Sequence, residues 1–133
     1  MRVADLMRTD VTTIAPDSSI ADLVQALADS HVSGLPVVSP SGQIVGVVSA
    51  ADVLEVSAEN DDAKGRTDLL QHTTVSDIMT RRPHVIEPDA DAREAAQRML
   101  YGEVRRLFVQ EKGRLIGVIS QTDIAQAVGS GRL

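Results

Sequence analysis

The sequence predicts an α+β fold, α/β sandwich-like, in which two β-α-β-β-α repeats pack with pseudo-twofold symmetry through their sheets. Three observations predict it. First, the chain is written twice: Val3 to Asp17 (VADLMRTDVTTIAPD) aligns with Val75 to Asp89 (VSDIMTRRPHVIEPD), and Gly46 to Asp52 (GVVSAAD) aligns with Gly117 to Asp123 (GVISQTD). The offset is about 72 residues, so two similar units are implied. Second, each copy places a stretch of helical periodicity before two apolar runs of strand length. Third, 133 residues with 43% hydrophobic content bury one compact core more readily than either half of roughly 60 residues would alone.

The elements follow in order. After a short lead-in, Ile20, Leu23, Val24 and Leu27 recur at i, i+3, i+4 and i+7, which predicts a helix with one buried face. Ser19 followed by Asp22 reads as its N-terminal cap. Leu35-Pro-Val-Val38 and Ile44-Val-Gly-Val-Val48 read as strands joined by a Ser-Pro-Ser-Gly turn. Residues 50–58 are expected to be helical and complete the first repeat, 1–58. The polar, Gly-containing stretch 59–68 is expected to be a linker. In the second repeat, 69–133, Asp91 and Glu94 cap the helix, Leu107-Phe-Val109 and Leu115-Ile-Gly-Val-Ile119 form the strands around Glu-Lys-Gly, and the tail 129–133 is expected to fray. Nearly continuous apolar strands imply sheets covered on both faces.

Composition removes several function classes. The absence of cysteine excludes disulfides, thiolate catalysis and zinc-thiolate sites. No apolar run is long enough to span a bilayer and the N-terminus has no signal-peptide core, so a cytoplasmic protein without membrane contact is expected. A net charge of −6 argues against nucleic acid as a partner. That charge is uneven: residues 1–60 hold two Arg against eight acidic residues, whereas residues 61–133 hold eleven basic and eleven acidic. His31, His72 and His84 are too scattered for a metal centre, and no Walker A loop, HExxH, GxSxG elbow or strand-to-helix GxGxxG is present. Neither catalytic nor metal-binding residues are assigned.

The chemistry-bearing motif is Gly-x-x-Ser-x-x-Asp, present at 46–52 and 117–123. A strand ending at Ser49 or Ser120 hands over to a helix whose first N–H groups form an anion site, and an Asp in the first turn supplies acceptors for a ribose diol. The same spacing is also a helix cap, Ser at the N-cap and Asp at N3, and the two uses are compatible. Met7 and Met79 recur at the end of each lead-in and read as packing or dimer contacts.

A Leu-Pro-Val-Val strand, the repeated Gly-x-x-Ser-x-x-Asp and Asp-x-Met near each repeat start together resemble paired cystathionine-β-synthase (CBS) domains, the Bateman module, over essentially the whole chain. The resemblance implies a regulatory, non-catalytic module that requires no cofactor. It further implies AMP, ADP, ATP or S-adenosylmethionine bound in the cleft between the repeats, a homodimer, and an unidentified protein effector. Carried over residue by residue, it implies a first ligand site of Val11, Thr12, Val32, Ser33, Arg106, Ser120, Thr122 and Asp123. A second is implied from Ser49, Asp52, Pro83, His84, Val104 and Arg105. Gly34 stands where the other repeat has Arg106, so the Asp123 site is expected to favour phosphate-bearing ligands. Phe108 stands in place of Pro36 and is expected to fill the core. The alternatives are a ligand-free dimerisation or scaffolding module, and a regulatory piece of a larger enzyme or transporter. The initial Met and the short tail favour a complete small protein.

Overall fold

Apolar residues at helical and strand spacing build the predicted elements in the computed structural model, which describes residues 1–59 and 62–133. In chain order the elements are α1 (Val3–Leu6), α2 (Ile20–Ser30), β1 (Gly34–Val38), β2 (Ile44–Ser49), α3 (Ala50–Ala58), α4 (Ala63–His72), α5 (Val75–Ile78), β3 (Val85–Ile86), α6 (Ala92–Gly102), β4 (Arg106–Glu111), β5 (Arg114–Ser120) and α7 (Gln121–Gly129). Helix makes up 44%, and strand with isolated bridge residues 26%, the mixed class that the repeat pattern predicts.

The units do not follow the order of the chain. One comprises Met1–Val11 with His84–Leu133, and the other Thr12–Pro83. Each lead-in therefore joins the α/β body of the other repeat. In the first unit Arg8 and Val118 exchange backbone hydrogen bonds of 2.8 and 2.9 Å, and in the second Val47 and Thr80 do so at 2.9 Å each. Val47 and Val118 are equivalent by the internal repeat, and so are Arg8 and Thr80.

Each unit has its own apolar core, which supplies the main stabilisation. Val3, Ile86, Ala95, Met99, Leu107, Val109, Ile119 and Ile124 form that of the first unit. Ile14, Ile20, Leu23, Leu35, Val37, Val48, Leu69 and Val75 form that of the second. Val24 departs from the face predicted for α2: it is exposed, because Ile20 and Leu23 alone point fully into the core. Phe108 is buried as expected.

In the first unit β3, β4 and β5 form a sheet, β3 parallel to β4 and β4 antiparallel to β5. In the second, β1 and β2 pair antiparallel, and among the described residues Ile14 alone bridges to Val37 in place of a third strand. Pro36 accounts for part of the difference. Phe108 donates its N–H to the His84 carbonyl at 3.0 Å, and proline at the equivalent position has no N–H to give. The predicted turns are present, with Gly42, Lys112 and Gly113 at positive φ.

Two expectations are corrected. Residues 63–68, expected within the linker, are helical, because Asp62 caps α4 by accepting from Gly65 N–H and Leu69 anchors the helix in the core. Residues 60 and 61 of that linker lie outside the described residues. The tail does not fray freely: Arg132 and Leu133 donate backbone N–H groups to the Ala127 carbonyl, and Leu133 packs against the core. Gly131, at φ +76°, makes that reversal possible.

The short α5 is held by a reciprocal cap, in which Thr74 N–H and its hydroxyl both donate to Asp77. These hydrogen bonds, with a smaller contribution from Arg81, hold the Asp77 carboxyl below the ordinary carboxylate range. A carboxyl lowered on folding stabilises the fold above its unfolded pKa of about 4 and loses that contribution as pH falls through its folded value. Asp77→Asn is therefore expected to melt below the parent at pH 7, and the gap should close in melts taken at pH 5, 4 and 3.

Candidate functional site

The two Gly-x-x-Ser-x-x-Asp segments fold alike. Ser120 is the N-cap of α7: its Oγ accepts from Asp123 N–H at 3.1 Å, and Asp123 Oδ2 accepts from Ser120 N–H at 2.9 Å. Ser49 caps α3 in the same way, with Asp52 Oδ2 accepting from Ser49 N–H at 2.7 Å and Ser49 Oγ from Asp52 N–H at 3.3 Å. The capping role expected of these pairs is thus realised in both. It fixes each carboxylate against the positive end of a helix dipole, where an anion is also stabilised.

The glycine at the head of each motif lets a backbone approach, and that backbone belongs to the lead-in. A Cβ at Gly117 would lie 2.7 Å from the Arg8 carbonyl oxygen and 2.9 Å from Met7 Sδ. At Gly46 the equivalent distances are 2.6 Å to Thr80 and 2.8 Å to Met79. Met7 and Met79 therefore pack, as read from the sequence.

The ladder register supplies the contrast between the units. Arg106 lies directly across from Ser120, and Gly34 directly across from Ser49. Partners across a ladder share a face, so Arg106 shares a face with the α7 N-cap, whereas Gly34 offers the α3 N-cap no side chain from the equivalent position. Arg106 is half-buried, burial pushes its pKa down, and among the described residues it has no ion-pair partner. A guanidinium stays protonated at neutral pH, so this cation is partly desolvated without a counter-ion.

Of the residues predicted for the first ligand site, Arg106, Ser120, Thr122 and Asp123 collect in the first unit around the start of α7, and Val11 also belongs to that unit. Thr12, Val32 and Ser33 lie in the other unit, where the Ser33 carbonyl accepts from Ala50 N–H at 2.8 Å at the start of α3. Of those predicted for the second site, Ser49, Asp52 and Pro83 lie in this unit with Ser33. His84, Val104 and Arg105 lie in the first unit. There the Arg105 carbonyl accepts from Gln121 N–H at 2.9 Å and the Val104 carbonyl from Gln121 Nε2 at 3.2 Å. Gln121 thus fastens this loop to the α7 N-terminus.

Arg8 was not predicted. Its Nε donates to Asp123 Oδ1 at 3.0 Å, joining an exposed guanidinium to a carboxylate whose side chain is 7% exposed. The internal alignment of Arg8 with Thr80 was the available signal, but no sequence rule pairs residue 8 with residue 123.

The family profile for the CBS domain matches residues 3–59 and 75–130. The chain belongs to the CBS-domain family. This CBS pair is 28% identical to CBSX2, solved in complex with AMP, with a TM-score of 0.82 over 99% of this chain and 98% of that one. It shares its fold, at 22% identity and a TM-score of 0.79, with the CBS domain pair of protein MJ0100, solved with 5′-methylthioadenosine and S-adenosyl-L-methionine; 98% of each chain is covered. Among curated relatives it is 30% identical, over 98% of its length, to a homoserine O-acetyltransferase of Methanosalsum zhilinae, of which it spans 24%. It is 25% identical, over 96% of its length, to an uncharacterized protein of Methanocaldococcus jannaschii, of which it spans 91%. Among the described residues no helix is long and apolar enough to cross a membrane, and no group of three or more His, Asp or Glu is placed to hold a metal ion.

Proposed function

We propose that this CBS pair is a regulatory, non-catalytic module that binds an adenine nucleotide or adenosyl metabolite and signals occupancy to a partner protein, acting as a cytoplasmic homodimer. The observation that carries the ligand reading is Arg106: a half-buried cation without an ion-pair partner among the described residues, across the ladder from the N-cap of α7. A phosphate beside Ser120 would receive the α7 N–H groups and the Arg106 guanidinium together, and charge-assisted bonds of this kind are the strong ones. Asp123 retains lone pairs for a ribose diol, since a carboxylate accepts about four hydrogen bonds and two are used here. The AMP complex of CBSX2 supports the same ligand class. Signalling requires that the ligand bind two arrangements of the protein with different affinity.

A thermal-shift panel with AMP, ADP, ATP, S-adenosylmethionine and GTP tests this reading. A micromolar ligand at millimolar concentration should add about 4 kcal/mol to folding stability. In Asp123→Asn the amide oxygen can still cap Ser120 N–H while the diol acceptor is lost, so the adenosyl shift should shrink strongly. Calorimetry in which Asp52→Ala abolishes nucleotide binding and Asp123→Ala spares it would reverse the ranking of the two units. A panel with no shift would favour the scaffolding alternative, to which Gly34 and the acidic first sixty residues point.

A further inference from the structure

We infer that the residue following each lead-in methionine sets the charge of the ligand its unit accepts: Arg8 makes the first unit selective for anionic nucleotides, and Thr80 leaves the second to neutral or cationic adenosyl ligands. The inference rests on the ligand reading above and deepens it. Arg8 and Thr80 are structural equivalents, each bridging to the strand residue two places before the capping serine. Their consequences for the aspartate differ. Asp123 accepts from Ser120 N–H through Oδ2 and from Arg8 Nε through Oδ1, so its charge is balanced. Asp52 accepts only from Ser49 among the described residues, through Oδ2, and has no cationic partner there.

An unbalanced carboxylate near a bound phosphate repels it, and it attracts a cation such as a sulfonium. A carboxylate paired with arginine does neither. Arg8 uses only Nε on Asp123, and its Nη groups have no acceptor among the described residues. They are therefore available as further donors, and five N–H groups on one planar fork suit a phosphate. Arg106 acts in the same direction from β4, but among the described residues Arg8 is the cation that pairs with the aspartate. It is a specificity-determining and positioning residue, not a catalytic one.

The experiment compares AMP with adenosine by titration calorimetry. The two share base and ribose and differ only in phosphate. In Arg8→Thr, which copies the other repeat, AMP affinity is expected to fall about tenfold while adenosine changes by less than about threefold, the size of one lost charge contact at a solvated site. Arg8→Lys, which keeps the charge, should retain most of the AMP affinity. Thr80→Arg on an Asp123→Asn background, which leaves the second unit's site to be read, should raise the AMP-to-adenosine preference by a similar factor. Equal losses for both ligands in Arg8→Thr, or an unchanged preference in Thr80→Arg, overturn the inference and leave the ligand reading standing. If the parent chain binds neither AMP nor adenosine, both are overturned.

Discussion

Gly117→Ala is expected to lower the unfolding temperature by roughly 6 to 18 °C, taking about 3 to 4 °C per kcal/mol for a chain of this size. The new Cβ would meet the Arg8 carbonyl oxygen at 2.7 Å, and that carbonyl is pinned because Arg8 and Val118 exchange two backbone hydrogen bonds. The lead-in can retreat only by stretching both. Overpacking of this kind costs about 1 to 3 kcal/mol, and each weakened hydrogen bond about 1 kcal/mol more. Against this, alanine restricts the unfolded chain and returns about 0.4 to 1 kcal/mol. The net loss is about 2 to 4.5 kcal/mol, the balance of those terms. Gly46→Ala should behave in the same way, since its Cβ would meet the Thr80 carbonyl at 2.6 Å. Adding Met7→Ala to Gly117→Ala relieves the sulfur contact and leaves the carbonyl contact, so calorimetry should recover only a minor part of the loss. An unchanged melting temperature in Gly117→Ala would mean that the lead-in yields without cost.

The strands that contain these glycines, and their hairpin partners, were legible because apolar residues of strand length were bounded by turn residues. So were α2 and both capping motifs, which are set by interactions within a few residues. What the sequence did not expose was long-range. The joining of each lead-in to the other repeat's body rests on pairings between residues far apart in the chain, Arg8 with Val118 and Arg2 with Asp91 in one unit, Val47 with Thr80 and Ser19 with Thr74 in the other. Local pattern carries no trace of such a pairing. The same holds for Arg8 and Asp123, of which only the aspartate could be singled out. The start of α4 was obscured for a different reason: its polar first turn resembles a linker until Asp62 is seen to cap it. Among the described residues the second unit has no third strand, which was not read from the sequence; the missing N–H of Pro36 becomes meaningful once Phe108 is seen donating to His84.

Arg106→Met is expected to stabilise the fold slightly and to weaken AMP binding about hundredfold, because the two effects have the same origin. The guanidinium is half-buried beside fully buried Leu107, burial lowers its pKa, and no carboxylate among the described residues balances it. Folding therefore bears a desolvation cost that a methionine of similar length avoids. Discounted for the exposed half of the side chain, the gain is about 0.5 to 1 kcal/mol. On the proposed ligand reading, the same unpaired cation is what an incoming phosphate would neutralise, so its removal would forfeit a charge-assisted contact that a ligand without phosphate never makes. Adenosine affinity should accordingly change little, and the stability gain should be present in melts without ligand at neutral pH. Paired melts and titrations of the parent and Arg106→Met chains separate the possibilities. Lower stability with unchanged AMP affinity would identify Arg106 as a structural cation. Higher stability with weakened AMP binding would identify a residue retained at the expense of the fold because the ligand requires it.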